Sequence, residues 1–134
     1  MNKKYQRAGN KGFSLIELLV VITIMGLLAS LVGQEMFGKV EQSKVKTAQS
    51  QMKIISSSLD AYRLDIGEYP ENLNLLINSQ QQGWLGPYLA DDLPLDPWNV
   101  PYQYKRLSAS TYQLSSLGAD KKPGGDNLDA DIIH

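Results

Sequence analysis

The polarity of this chain changes twice along its length. Positions 13–32 are almost wholly apolar, broken only by Ser14, Glu17, Thr23, Gly26 and Ser30. Twenty residues are about what a helix needs to cross a bilayer at ~1.5 Å rise per residue. Further along, the pattern becomes amphipathic. Val45, Ala48, Met52, Ile55, Leu59, Tyr62 and Ile66 recur at steps of three and four, which traces one apolar stripe on a helix. Lys44, Lys46, Thr47, Gln49, Ser50, Gln51, Lys53 and the serines at 56–58 lie mostly on the other sides. No proline falls within 13–69, so the pattern predicts one long helix, or two collinear pieces, from 13 to about 65. Gly26, Gly33 and Gly38 are soft points, each costing about 1 kcal/mol relative to alanine. The stripe lacks the charged flanks of a coiled coil.

The periodicity changes again after Gly67-Glu68-Tyr69-Pro70, where glycine and then proline end the helix. Residues 73–78 read as a short helix. Next comes an aromatic, proline-rich loop, Gly83-Trp84-Leu85-Gly86-Pro87-Tyr88-Leu89 and then Leu93-Pro94-Leu95-Asp96-Pro97-Trp98. Four prolines within 87–101 exclude a regular helix or a central strand. Trp84, Tyr88, Trp98 and Tyr102 read as rings pinning a loop to a small core, ahead of a ligand-stacking site. Residues 102–106 and 111–116 alternate as strands, with 107–110 as their hairpin connection. The expected fold is α+β: a long N-terminal helix whose second half packs on a small antiparallel sheet with long loops. The expected segments are 1–12, 13–32, 33–66 and 67–134.

Charge adds direction to this plan. Lys3, Lys4, Arg7 and Lys11 place four positive and no negative charges before position 13, the positive-inside pattern. That pattern keeps 1–12 on the cytoplasmic side and sends the rest outward. Glu17 is the one carboxylate in the apolar run, and placing it in hydrocarbon costs on the order of 3 kcal/mol. It calls for a partner. An ordinary secretory signal is cut after its apolar region. Here the small residue at the junction, Gly12, precedes it, so a cut there removes the charges and keeps the helix. Thirteen basic residues face fourteen acidic ones; without the leader's four bases the remainder carries a net charge of −5. Nothing in this balance suggests nucleic-acid binding. The chain has no cysteine and a single histidine, His134. A thiol nucleophile, a disulfide, a histidine-based triad and a zinc site are therefore not expected, and the chain does not read as an enzyme.

Lys11-Gly12-Phe13-Ser14-Leu15-Ile16-Glu17-Leu18-Leu19 resembles the class III signal of type IV pilins and type II secretion pseudopilins. The resemblance implies that a membrane prepilin peptidase cuts after Gly12 and methylates the new N-terminus at Phe13. It also implies that Glu17, the fifth mature residue, neutralises the N-terminal amine of a neighbouring subunit as a filament grows. Relatives often carry a proline near the end of the apolar half, where this chain has Gly33-Gln34. Asp65-x-Gly67-x-Tyr69-Pro70, Gly86-Pro87-Tyr88-Leu89, Leu93-Pro94-x-Asp96-Pro97-Trp98-x-x-Pro101-Tyr102-x-Tyr104 and Leu117-Gly118-Ala119-Asp120 resemble the major pseudopilins of type II secretion systems. Asn99-Val100 stands where those proteins usually have a glycine after the tryptophan.

The tail from 117 to 131 holds Asp120, Asp126, Asp129 and Asp131 among three glycines. Its spacing is not that of an EF-hand, and spacing alone favours a solvated acidic loop. The resemblance implies calcium instead. Its side-chain ligands would be Asp120 and Asp129, with Asp126 or Asp131 as a third, and its main-chain ligands Leu117 and Lys122. Relatives have glycine where Lys121 stands. The resemblance further implies a single-pass inner-membrane protein with its C-terminal domain in the periplasm. It would be stored in the lipid bilayer, then assembled as a homo-oligomeric helical filament that drives export of folded proteins across the outer membrane. Its partners would be minor pseudopilins, the prepilin peptidase and an inner-membrane secretion platform. A pilus subunit for adhesion or motility and an anchored calcium-binding module that never polymerises are the alternatives.

Overall fold

The computed structural model describes residues 12–90 and 92–134. The leader charges at Lys3, Lys4, Arg7 and Lys11 lie outside the described residues. One helix, α1 (Leu15–Ile66), covers the apolar run and the amphipathic stripe without a break. It ends where the glycine predicts. Gly67 takes φ +96°, a left-handed conformation cheap only for glycine, and its N–H donates to Arg63 O at 2.8 Å. The chain divides into two compact units between Phe37 and Gly38.

In the first unit the described large apolar side chains of the helix, Leu15, Ile16, Leu18, Leu27 and Leu31 among them, all stand exposed. The helix is long and apolar enough to cross a membrane, and none of its apolar window is covered by the described residues.

The second unit has its core on the predicted stripe. Ala48, Met52, Ile55, Leu59 and Tyr62 are buried, with Val45 and Ile66 partly so. They pack with Leu73, Leu76, Trp98, Tyr102, Leu114 and Ile132. Each large apolar side chain taken from water in this way is worth about 1.5–3 kcal/mol. Ser58 is the polar exception on this face. It is buried because its hydroxyl reaches two carbonyls, Ile54 O at 3.1 Å and Tyr88 O at 2.9 Å.

The sheet has three antiparallel strands in the order β1 (Gln103–Ser108), β2 (Thr111–Ser116), β3 (Ile132–Ile133). The hairpin turn is tighter than the sequence pattern suggests, because β1 runs on to Ser108 through a register shift between Arg106 and Ser108. The third strand is two residues long and carries no periodic signal. The predicted helix at 73–78 is a single 3-10 turn, Leu73–Leu76, capped by the Asn72 side chain on Asn74 N at 3.1 Å. The helix exit is fastened to β1: Arg106 reaches Glu68 and Glu71, each at 2.6 Å, and the Tyr104 hydroxyl donates to Pro70 O at 2.7 Å.

The loop rings act as pins. Trp98 and Tyr102 are buried. Trp84 and Tyr88 stack edge to face at 5.8 Å; Trp84 Nε1 donates to Leu75 O at 3.0 Å, and the Tyr88 hydroxyl to Asp65 Oδ2 at 2.7 Å. Trp98 and Tyr102 bury their apolar bodies, Trp84 and Tyr88 do so in part, and each ring satisfies its polar tip within the chain. Burial pushes the Tyr102 hydroxyl up to about 12, with the nearby Asp96 carboxylate adding to the shift.

Candidate functional site

The first constellation lies at the start of α1. Gly12 is exposed, and a Cβ built on it meets nothing within 4 Å. Phe13 is 84 % exposed and Glu17 stands one helical turn further on. The two line one shallow cleft with Leu18 and Val21. Glu17 lies in the first turn of the helix, where the helix dipole favours a carboxylate. Ser14 and Glu17 also have the spacing of a capping box, Ser-x-x-Glu. The arrangement places a carboxylate within one turn of the amine that cleavage after Gly12 would create.

The second constellation is the tail after β2, which folds back on itself. Gly118, at φ +71°, faces the returning arm so closely that a Cβ would lie 2.8 Å from Ala130 O. Gly125 meets the Asp129 carbonyl more closely still. The Asp120 Oδ1 accepts from Lys122 N at 3.0 Å. Asp131 closes the loop against Gly124: its N–H donates to Gly124 O at 3.1 Å and its Oδ2 accepts from Gly124 N at 3.0 Å. Asp126 precedes and Asp129 ends a 3-10 turn, Asn127–Asp129, and the Asp129 N–H donates to Asp126 O at 3.1 Å. Asp120 is half-buried, whereas Asp126 and Asp129 are exposed. Among the described residues no three carboxylate or imidazole groups are gathered as a ready metal cluster. One atom nevertheless fits a cation: Asp131 Oδ1 is buried and has no hydrogen-bond partner. A buried carboxylate oxygen without a donor is costly unless a positive charge faces it.

Two positions where the resemblance implies glycine take left-handed backbone. Lys121 has φ +59° and Asn99 has φ +63°. Asparagine tolerates that region well; lysine is less suited to it.

One buried carboxylate carries no chemical role in the sequence pattern. Asp96 is 2 % exposed and receives hydrogen bonds from Trp98 N, Val100 N and the Ser116 hydroxyl. The signal was the tetrad Asp96-Pro97-Trp98-Asn99, a turn with aspartate first and proline second. The Asn99 N–H to Asp96 O bond at 2.9 Å closes that turn.

A long helix with an exposed apolar start behind a glycine, set by its later turns on a small antiparallel sheet, defines a type IV pilin-like subunit. Comparison with known proteins narrows the class. The model of a prokaryotic N-terminal methylation motif matches residues 7–33, and that of type II secretion system (T2SS) protein G matches 35–134. Type II secretion system core protein G of Pseudomonas aeruginosa is 41 % identical over 138 residues, covering 95 % of this chain and 96 % of that protein. The protein of the same description from Xanthomonas campestris is 35 % identical, covering 94 % and 90 %. The crystal structure of the major pseudopilin from the type 2 secretion system of enterohaemorrhagic Escherichia coli superposes with a TM-score of 0.56 at 28 % identity, covering 72 % of this chain and 90 % of that one. The chain belongs to the type II secretion system protein G family.

Proposed function

We propose that the protein is the repeating subunit of a type II secretion pseudopilus. The observation that carries this reading is the first unit of α1: an apolar helix, exposed all round, with one carboxylate a single turn from a cleavable glycine. Such a surface needs lipid before assembly and sister helices afterwards. Cleavage after Gly12 by a prepilin peptidase creates an amine on Phe13, which is then methylated and remains cationic. A buried ammonium needs a counter-charge, and Glu17 of an adjacent subunit supplies it. The protein is held in the inner membrane by one span, with residues from the amphipathic stripe onward in the periplasm. Minor pseudopilins and an inner-membrane platform complete the assembly, and growth of the filament pushes folded proteins across the outer membrane.

Calcium belongs to the same reading. Asp120 and Asp129, with Asp131 or Asp126, supply carboxylate oxygens, and Leu117 and Lys122 supply carbonyls. The cation offsets the mutual repulsion of the aspartates and closes a domain that has no disulfide. The unpartnered Asp131 Oδ1 supports this and favours Asp131 over Asp126 as the third carboxylate.

The test is the N-terminus of the assembled protein. Mass spectrometry of sheared filaments is expected to give a chain starting at methylated Phe13, and Gly12→Val is expected to leave an unprocessed, unassembled precursor in the membrane. A mature chain beginning beyond Val32, or filaments built from uncut Gly12→Val, would overturn the reading.

A further inference from the structure

The carboxylate of Asp96 lies inside the second unit, and each of its bonds has one direction. Oδ1 accepts the main-chain N–H of Trp98 at 3.0 Å and of Val100 at 2.8 Å. Oδ2 accepts the Ser116 hydroxyl at 2.6 Å, and Ser116 is itself fully buried. A hydroxyl that gives its only proton to a carboxylate keeps its lone pairs as acceptors. One of them takes the N–H of Gly118 at 3.3 Å. Donation therefore runs from Gly118 through Ser116 to Asp96.

That N–H shares a peptide plane with the Leu117 carbonyl. A peptide bond before a residue other than proline is trans, so the C=O of Leu117 and the N–H of Gly118 point in opposite directions. With the N–H held on Ser116, the carbonyl is turned away from the Ser116 hydroxyl. The other side of Gly118 lies against the returning arm at Ala130, where there is no room for a Cβ. The peptide is thus clamped between a buried polar pair and the far arm of the acidic loop. Donation by the N–H also polarises its own carbonyl and makes that oxygen a better ligand.

We infer that Ser116 and Asp96 are positioning residues of the tail's cation site, acting through the Leu117 peptide. Neither touches the cation. Asp96 fixes the Ser116 hydroxyl, Ser116 fixes the Gly118 N–H, and the Leu117 oxygen is presented as a preorientated ligand. The inference rests on the calcium reading above. Partners of this kind, one bond removed from the metal, typically change affinity 10- to 100-fold when lost.

The test is calorimetric titration of the full chain in detergent micelles with calcium chloride. Ser116→Ala is expected to weaken binding 10- to 100-fold at a temperature where both forms are folded. Asp96→Asn is expected to weaken it too, because its amide then donates to Ser116 and competes for the lone pairs that hold Gly118. A measurement on the unaltered chain covers the case in which a variant fails to fold. With 13C at the Leu117 carbonyl, calcium is expected to shift that infrared band. A chain that binds calcium while the labelled band stays put overturns the inference, as does a folded Ser116→Ala that binds with unchanged affinity. A chain that binds no calcium at all overturns the calcium reading, and the inference falls with it.

Discussion

The indole N–H of Trp98 donates to Glu41 Oε2 at 2.8 Å, joining residues 57 positions apart. The other oxygen of Glu41 accepts from Lys44 at 3.0 Å. Trp98 in turn starts from the Asp96 turn, so one carboxylate anchors the proline-rich loop to the core and another anchors it to the helix.

The Glu41 contact sets a pH dependence. The Trp98 hydrogen bond, and after it Lys44, hold the Glu41 carboxyl below the ordinary carboxylate range. A carboxyl whose folded-state pKa is depressed contributes stability above its unfolded value, about 4.3, and loses it as pH falls through the lowered one. The loss is expected to be under about 1 kcal/mol, since the pair is solvent-accessible. Urea unfolding of the full chain in detergent at pH 7 and pH 3 is the check: Glu41→Gln should show a smaller acid loss than the native chain. Equal losses would mean the contact does not discriminate between the two protonation states.

The helix face supplies a second prediction. Leu59 is fully buried and Ile54 is 60 % exposed. Leu59→Ala is expected to cost about 2–5 kcal/mol of unfolding free energy, and Ile54→Ala no more than about 0.5. Denaturant midpoints of the two variants decide it. Similar costs would mean that Ile54 is covered by something outside the isolated chain.

How far the sequence carried this fold depends on periodicity. The stripe from Val45 to Ile66 predicted the buried face, because a 3.6-residue repeat over six turns leaves little choice. Gly67 and Pro70 marked the helix end for a local reason, left-handed backbone and a missing N–H. β3 was not legible: two residues cannot show a period, and Ile132 pairs with Ser116 only once the tail has folded back. Asp96 was visible as a turn residue, but its burial depends on Ser116, twenty positions on, and no local rule connects them. The acidic tail was legible as a cluster. That Asp131, rather than Asp126, keeps a buried oxygen without a donor depends on how Gly124 and Gly125 turn the chain.

Calcium removal should be felt by the whole second unit. Binding to the folded state alone stabilises by RT ln(1 + [L]/Kd), about 2.7 kcal/mol at a hundredfold excess over Kd. For a unit of this size that is on the order of 10 °C in melting temperature. Chelator is expected to lower the melting temperature of the full chain in detergent, and added calcium to restore it. Asp120→Ala should melt lower and respond to neither. If the native chain ignores both chelator and calcium, the tail is a plain acidic loop.

Glu17→Gln tests the assembly role while keeping the size and shape of the side chain. Glutamine is nearly isosteric and can still serve at the third position of a capping box, so the start of α1 should survive. It also removes a charge from an apolar helix, which makes residence in the bilayer easier by a few kcal/mol. Membrane insertion and the fold of the second unit are therefore expected to be unchanged or slightly favoured. What glutamine cannot do is neutralise the amine at Phe13 of a neighbouring chain, and an unpaired buried charge costs about 3–5 kcal/mol. Spread over every subunit contact, that penalty should abolish sheared filaments while the membrane fraction stays full. Filaments recovered from Glu17→Gln at the native yield would show that the carboxylate has no charge-pairing role in assembly.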